Sequence, residues 1–307
     1  MEFKHISVLL DDCIKGLNIK SDGIYVDCTA GGGGHSSEIA KHIVNGRLIA
    51  IDRDPDAVDA ARNRLKEFSI AQVVNANFTQ IEMVLDELNI NEADGFLFDL
   101  GVSSHQLDEA KRGFSYKHDA PLDMRMSKDG LSAAEVVNTY DVSALAKIIF
   151  EYGEDRYARS IAAGIGKARS ESPIETTSQL AQIIKASVPA KARRSKNPCK
   201  QTFQAIRIEV NKELDAVSLG LDSAFKRLSH GGRICVITFH SLEDRLVKQR
   251  FASWCEGCTC PPDFPICICG NEPKARLINR KPILPSQEEI SANSRSKSAK
   301  LRILEKL

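Results

Sequence analysis

The sequence has no long apolar run: nothing in its 307 residues approaches the roughly 20 apolar residues that a membrane-spanning helix needs. Residues 1–7 also contain no apolar core of the kind that defines a signal peptide. We therefore expect a cytoplasmic protein with no membrane partner.

An excess of charge of either sign is also missing, because 42 lysine and arginine residues are balanced by 41 aspartate and glutamate residues. A chain with this balance has no global field that attracts a polyanion, so any nucleic-acid surface must be a local patch. Apolar residues at 42% and charged residues at 27% are ordinary for a globular protein. The length allows a core domain with an insertion or a smaller partner domain.

Four consecutive glycines at residues 31–34 follow an apolar strand signal and precede a helix signal. A strand that turns through glycines onto a helix start brings bare backbone N–H groups close to a ligand. Asp52 ends the next apolar run, 19 residues beyond Gly33, where adenosine-binding folds place a carboxylate that accepts ribose hydroxyls. The alternative is that Asp52 only flanks the helix that Asp54 and Pro55 begin. The spacing indicates an adenosine-containing cofactor.

The glycine spacing alone leaves two cofactor classes open, a nicotinamide dinucleotide and S-adenosylmethionine. Dinucleotide-binding turns use Gly or Ala as a third small residue, and Ser36 occupies that position. The alternative register runs from Asp27 through Thr29 and Gly31 to Gly33. It resembles the first motif of Rossmann-like methyltransferases, with Thr29 in place of the usual first glycine.

Strand and helix signals alternate over residues 1–105, and the alternation resumes over residues 205–307. Residues 106–204 contain helix signals and loops only. Short apolar strands separated by helices imply a parallel sheet with right-handed crossovers. Residues 275–283 and 300–307 are expected to add an antiparallel closing pair. The predicted fold class is α/β, a mostly parallel sheet with an inserted all-helical domain.

Several helix boundaries can be predicted from capping patterns. Residues 79–82 and 132–135 have the spacing of capping boxes. Ser241 is expected to cap the helix after the fifth strand, and a single helix is expected over residues 205–228.

Five further motifs carry a resemblance to a known family. They are residues 99–108, 113–115, 121–126, 202–208 and 239–245. With the glycine turn, they resemble the bacterial S-adenosylmethionine-dependent methyltransferases that modify a cytidine N4 in the decoding region of small-subunit (16S) ribosomal RNA. The resemblance covers nearly the whole chain. It implies a Rossmann-like class I methyltransferase core, residues 1–105 and 205–307, that binds S-adenosylmethionine. Residues 106–204 would then recognise the ribosomal RNA within the small subunit.

The resemblance also implies cofactor contacts from seven residues: Gly33, Gly34, His35, Asp52, Phe78, Asp99 and Gln106. Phe78 follows the third strand, where an aromatic ring can wall the adenine or can simply fill the core. Asp99 ends the fourth strand and faces the reacting end of the cofactor, where a carboxylate favours a sulfonium. Gln106 can hydrogen-bond the methionine moiety, or it is an ordinary solvated side chain.

Asp99 and His240 are the candidate catalytic residues. The lone pair of a cytosine amine is delocalised into the ring, so an enzyme must position the amine and accept a hydrogen bond from it. Asp99 is the candidate acceptor, with service to the cofactor alone as the alternative. His240 can contact the base or remove a proton, or it can cap the next helix with Ser241.

Basic residues around Thr202 are the candidate RNA contacts, because they border the expected mouth of the site. They are Lys191, Arg193, Arg194, Lys196, Lys200 and Arg207. The alternative is that these residues only form an ordinary solvated face.

Five of the nine cysteines fall between Cys255 and Cys269. Cys258, Cys260, Cys267 and Cys269 are candidate ligands of a structural zinc ion, which prefers tetrahedral thiolate coordination. Reduced thiols on a proline-rich loop are the alternative. The four scattered cysteines are expected to be small buried apolar residues.

Two other functions compete with RNA methylation. One is an NAD(P)-dependent oxidoreductase, which Ser36 and the lack of a second nucleotide-binding half disfavour. The other is a non-catalytic ribosome-assembly factor, which the glycine turn together with Asp52 and Asp99 disfavours. The sequence does not predict an oligomeric state.

Overall fold

A computed structural model describes residues 7–195, 197–260 and 268–307. The chain forms two compact units, one of Met1–Gly101 with Leu214–Leu307 and one of Val102–Glu213. The sequence placed the borders of the insertion at 106 and 204. The second unit extends to Glu213 because Phe203, Ala205 and Ile206 pack into its core.

The first unit contains a seven-stranded sheet in the order β3-β2-β1-β4-β5-β7-β6. The strands are β1 (Ile24–Asp27), β2 (Arg47–Asp52), β3 (Ala71–Asn75), β4 (Ala93–Asp99), β5 (Leu228–Thr238), β6 (Ala275–Leu277) and β7 (Lys300–Lys306). Strands β1 to β5 pair in parallel, whereas β7 runs antiparallel to both β5 and β6. The mostly parallel sheet with an antiparallel closing strand is confirmed.

The direction of chain growth reverses between β1 and β4. The chain builds outward from β1 through β2 to β3, and then continues on the other side through β4 to β5. Central strands are buried on both faces; residues 48–51 of β2 are 0% exposed, which explains their continuous apolar run. In open α/β sheets, ligands bind at the carboxyl ends of the strands beside such a reversal. The topology therefore places a crevice where β1 and β4 end.

Helices make up most of the remaining described chain. They are α1 (Leu10–Leu17), α2 (Gly34–His42), α3 (Pro55–Leu65), α4 (Ile81–Glu87), α5 (Ser104–Asp108), α6 (Ala133–Thr139), α7 (Val142–Gly153), α8 (Ala158–Glu171), α9 (Thr177–Ser187), α10 (Ala190–Ser195), α11 (Cys199–Asn211), α12 (Glu213–Arg227), α13 (Ser241–Trp254) and α14 (Gln287–Ala292). No described helix combines the length and the apolar character that a membrane-spanning segment needs.

The prediction of a single helix over residues 205–228 is wrong. Helices α11 and α12 are separated at Lys212, whose φ of 48° is left-handed. Asn211 ends α11 because its side chain is used in tertiary contacts. It accepts from the Met126 N–H (2.9 Å) and donates to the Met124 carbonyl (2.8 Å). A local sequence pattern does not report such long-range contacts.

Two predicted caps are displaced, and one is confirmed. The box expected at residues 79–82 lies instead at Asn77 and Gln80, where it begins a short 3-10 turn before α4. His240, rather than Ser241, is the N-cap of α13. The box at residues 132–135 is present as predicted.

The second unit is helical, with no strand among its described residues. Helices α6 to α9 and α11 pack around one apolar core that includes Leu145, Ile149, Ile161 and Leu180. Arg112 is buried against the loop that precedes α6, where its guanidinium donates to the carbonyls of Arg125 (3.0 Å) and Met126 (2.9 Å). These bonds satisfy backbone acceptors that the irregular loop would otherwise leave unpaired.

Candidate active site

Four parallel strands end on a short polar side chain at one edge of the sheet. The residues are Asp27 on β1, Asp52 on β2, Asn75 on β3 and Asp99 on β4. Because parallel strands present their carboxyl ends together, three carboxylates converge beside the point where the strand order reverses. This edge is the candidate active site.

The glycine turn between β1 and α2 has a packed side and an open side. Added to Gly34, a Cβ would lie 2.0 Å from the Ser7 Oγ, and added to Gly33 it would lie 3.3 Å from the Ala61 Cα. A Cβ on Gly32 would meet nothing within 4 Å in the described structure. The left-handed φ of 74° at Gly33 favours glycine there, and a side chain at position 34 would require the Ser7 hydroxyl to move, whereas the backbone around Gly32 is accessible to a ligand.

Asp52 connects β2 to the glycine turn. Its Oδ2 accepts from the Gly31 N–H (2.8 Å), and its Oδ1 accepts from the Asp54 N–H (2.9 Å). Burial raises the pKa of Asp52 to about 6, against the opposing backbone hydrogen bonds. Asp52 therefore does flank the following helix, and each of its oxygens keeps a second lone pair for a hydroxyl donor.

Asp27 is fully buried and explains the serine at position 36. The Ser36 hydroxyl donates to Asp27 Oδ2 (2.5 Å), and the Thr29 N–H donates to Oδ1 (3.2 Å). Burial raises the pKa of Asp27 to about 6. Sequence reasoning missed this role of Ser36. A serine on the first turn of the helix after the glycines was the available signal.

Asp99 is held beside β1, but one of its oxygens lacks a partner. Its backbone N–H donates to Thr29 Oγ1 (2.6 Å). Oδ2 lies 3.6 Å from His35 Nδ1, whereas Oδ1 is buried and makes no hydrogen bond in the described structure. Burial raises the pKa of Asp99 to about 6; His35 opposes this shift, and Asp27 and Glu243 add to it. An unpartnered buried acceptor is rare in native proteins and indicates a missing donor or cation.

His35 is fixed by the chain near the N-terminus. Its Nε2 lies 3.0 Å from the Val8 carbonyl, which can only accept, so Nε2 carries the hydrogen. Nδ1 therefore faces Asp99 Oδ2.

Phe78 lies in the 3-10 turn after β3 and is half-buried. Its ring meets the buried Phe98 edge to face, with the centroids 5.7 Å apart. A Cβ on Gly220 would lie 2.6 Å from the Phe78 ring. The ring thus packs against the core on one side and is partly exposed elsewhere.

Gln106 belongs to the second unit and is buried, so the solvated alternative is wrong. The Gln106 Oε1 accepts from the backbone N–H of Ser103 (3.1 Å), and the backbone N–H of Gln106 donates to Ser103 Oγ (3.1 Å). The reciprocal pair orders the start of α5.

His240 caps α13. Its Nδ1 accepts from the Glu243 N–H (3.4 Å), and Glu243 Oε2 accepts from the N–H groups of Phe239 (2.9 Å) and His240 (3.2 Å). His240 Nε2 lies 3.0 Å from Glu243 Oε1 but outside hydrogen-bond geometry. These contacts give His240 the capping role that the sequence offered as an alternative, and a reactive role remains a prediction.

The candidate RNA contacts are not equivalent. Lys191, Arg193 and Lys200 are exposed on α10 and α11. Arg207 instead forms a bidentate pair with Glu213 (2.8 Å for each bond), and both side chains are largely buried. This pair occupies the Arg207 guanidinium and disfavours Arg207 as an RNA contact, which stays a prediction. Lys196 and the Arg194 side chain lie outside the described residues.

Comparison with known proteins identifies the family. A sequence model of the MraW methylase family matches residues 2–307. The chain belongs to the MraW methylase family. It is therefore a methyl-transferring enzyme, and the oxidoreductase alternative is wrong.

Relatives with high identity span the whole chain. The chain is 55% identical over 309 residues to the ribosomal RNA small subunit methyltransferase H of Clostridium botulinum (strain Kyoto / Type A2), with 100% of both proteins covered. It is 55% identical over 311 residues to the protein of the same name from Lachnospira eligens, covering 100% of this chain and 99% of the relative.

Solved structures give more distant similarities. An rRNA methylase from Streptococcus thermophilus is 10% identical with a TM-score of 0.42, covering 97% of this chain and 93% of that one. A SAM-dependent O-methyltransferase from Thermotoga maritima is 7% identical with a TM-score of 0.43, covering 99% and 68%.

Proposed function

We propose that this methylase transfers the methyl group of S-adenosylmethionine to the exocyclic N4 amine of a cytidine in the decoding region of small-subunit ribosomal RNA. The names of its full-length relatives support the RNA substrate. The observation that carries the chemistry is Asp99 Oδ1, a buried acceptor at the carboxyl end of β4 that has no hydrogen-bond partner among the described residues. A cytosine amine offers the N–H donor that such an oxygen lacks.

The donor set fits a cationic adenosine cofactor. Backbone N–H groups and the Ser36 hydroxyl donate to the carboxylates of Asp27 and Asp52, and His35 lies beside the carboxylate of Asp99. Burial raises the pKa of all three carboxyl groups. A nearby sulfonium would favour their ionised forms. The bound cofactor would supply the electrophilic methyl group.

Each predicted cofactor residue has a distinct role in this proposal. Asp52 accepts the ribose hydroxyls with its remaining lone pairs, and Phe78 walls the adenine. The open side of the turn before Gly33 and Gly34 admits the methionine moiety. His35 positions Asp99, and Gln106 orders the loop that follows β4.

Asp99 would act by positioning the amine and by accepting its N–H. This hydrogen bond increases electron density on nitrogen, and the methylated amine then readily loses a proton. Holding the amine in line at about 3–3.5 Å supplies much of the rate. Because the amine lies on the pairing edge, the cytidine must be unpaired or splayed out of its stack.

The helical unit supplies the RNA surface in this proposal. Lys191, Arg193 and Lys200 are exposed there and would contact phosphates. The substrate would be the RNA within the small ribosomal subunit, which places the enzyme in the cytoplasm.

The test incubates the protein with labelled S-adenosylmethionine and unmethylated small subunits, followed by digestion of the RNA to nucleosides. Label in N4-methylcytidine supports the proposal, whereas label in any other nucleoside overturns the substrate. No label at all would favour a non-catalytic assembly factor. The same assay applied to Asp99→Asn tests the role of Asp99. Asp94→Asn is its matched control, because Asp94 lies at the opposite end of β4 and accepts a hydrogen bond from Lys20 (2.9 Å).

A further inference from the structure

Three cysteine sulfurs converge on the loop between α13 and β6. The Sγ atoms of Cys258, Cys260 and Cys269 all lie within 4.8 Å of one another, and those of Cys258 and Cys269 are 3.7 Å apart. Two thiolates on a tetrahedral zinc ion, each about 2.3 Å from the metal, are about 3.8 Å apart. A disulfide would bring the sulfurs to about 2.05 Å. The Cys269 thiol can donate to Cys258 Sγ at this distance, which also matches metal ligation and excludes an S–S bond.

Backbone N–H groups point at these sulfurs. Cys269 Sγ accepts from the N–H groups of Thr259 (3.4 Å) and Asn271 (3.5 Å), and Cys260 Sγ accepts from that of Ile268 (3.4 Å). Such bonds stabilise the thiolate over the thiol. Metal-thiolate sites use the same outer contacts to orient their ligands.

The loop that presents the sulfurs is anchored at both ends. The Asn271 amide donates to the carbonyls of Gly257 (2.7 Å) and Glu256 (3.2 Å), which joins the two sides of the loop. At its base, the Lys274 N–H donates to the Trp254 carbonyl (2.9 Å). The Trp254 ring stacks on Phe225, with the centroids 4.1 Å apart. The convergence of the three sulfurs thus rests on the packed core of the unit.

The other described cysteines differ electrostatically from this cluster. Cys13, Cys28, Cys199 and Cys235 are buried, and burial raises the pKa of each thiol. Burial also raises the pKa of Cys255, which precedes the cluster by three residues, against a backbone bond from Leu277. Cys255 is therefore a matched internal control.

We propose that Cys258, Cys260 and Cys269 bind a structural zinc ion. The three thiols lose their protons to solvent as the thiolates coordinate the metal. Cys267, expected from the sequence to be a fourth ligand, lies outside the described residues, so the fourth ligand is left unassigned. The metal would tie the end of α13 to the start of β6, and it takes no part in methyl transfer.

Metal analysis of untagged protein, purified under reducing conditions without chelator, tests the site. We expect about one zinc per chain. Cys258→Ser and Cys269→Ser should each lose most of the metal, whereas Cys255→Ser should retain it. Cobalt added to metal-stripped protein should give the intense visible absorption of a tetrahedral thiolate complex in the wild type and in Cys255→Ser only.

Two results would overturn the zinc site. One is wild-type protein that neither contains zinc nor takes it up from solution in competition with a weak chromophoric chelator. The other is undiminished zinc in a Cys258→Ser/Cys269→Ser double variant. Both measurements need no substrate, so their failure is independent of the failure of the proposed methylation.

Discussion

Replacing Asp99 by asparagine is expected to stabilise the ligand-free protein while weakening its affinity for S-adenosylmethionine. Burial raises the pKa of Asp99 from 3.8 to about 6. A shift of about two pKa units corresponds to ~3 kcal/mol. Because the pKa is raised in the folded state, the protonated Asp99 carboxyl contributes stability that is fully present below pH 3.8. This contribution is lost as the pH rises through about 6. At pH 7.5 the ionised carboxylate therefore opposes folding, and a neutral amide does not.

Chemical unfolding measures this effect directly. Asp99→Asn should raise the free energy of unfolding at pH 7.5 by ~1–3 kcal/mol, and the gain should shrink toward pH 5, where the wild-type carboxyl is largely protonated. Asp94→Asn should show no such gain, because the Lys20 hydrogen bond lowers the pKa of Asp94 despite partial burial.

Calorimetric titration with S-adenosylmethionine and with its neutral product, S-adenosylhomocysteine, isolates the charge interaction. With a pKa of about 6, about one tenth of Asp99 is ionised at pH 5. The affinity ratio between the sulfonium and the thioether should therefore fall about tenfold from pH 8 to pH 5. Contacts of Asp52 and the glycine turn are common to both ligands and therefore cancel in the affinity ratio. A constant ratio, or an equal decline in Asp99→Asn, would show that the charge of Asp99 does not favour the sulfonium.

Four further substitutions test the cofactor site and the RNA surface. Gly32→Ala should leave the unfolding midpoint unchanged, because its Cβ meets nothing, yet raise the cofactor Kd several-fold in titration by occupying the open side of the turn. Gly220→Ala should displace the Phe78 ring, destabilise the protein by about 1–3 kcal/mol in denaturant unfolding and weaken cofactor binding. Lys200→Ala should reduce the slope of log binding constant against log salt concentration, measured for subunit binding, by about one phosphate contact. Arg207→Ala should leave that slope unchanged and should lower stability in denaturant unfolding, because it removes the pair with Glu213.

The sheet could be predicted because each central strand is a short apolar run that ends on a polar residue. Residues 47–52 and 93–99 show this pattern, and both strands end at the predicted carboxylate. Four such strands with intervening helices leave few topologies. The edge that holds Asp52 and Asp99 therefore follows from local signals.

Features that depend on long-range contacts could not be predicted. The helix break at Lys212 follows from Asn211 bonding the loop near Met124. The Arg207 side chain is paired with Glu213, although its sequence context is that of a basic patch. The partner of Asn211 lies outside any short window, and Glu213, although close to Arg207 in sequence, lies beyond the helix break at Lys212.

The most direct test of the account is the rate of a single turnover on unmethylated small subunits, with S-adenosylmethionine saturating for each variant. We expect Asp99→Asn to slow methyl transfer roughly 10²-fold or more, because the amine exchanges an ionised carboxylate acceptor for a weaker, neutral amide oxygen, while Asp94→Asn stays near the wild-type rate. A wild-type rate for Asp99→Asn under saturation would contradict the account, since Asp99 would then serve cofactor binding alone.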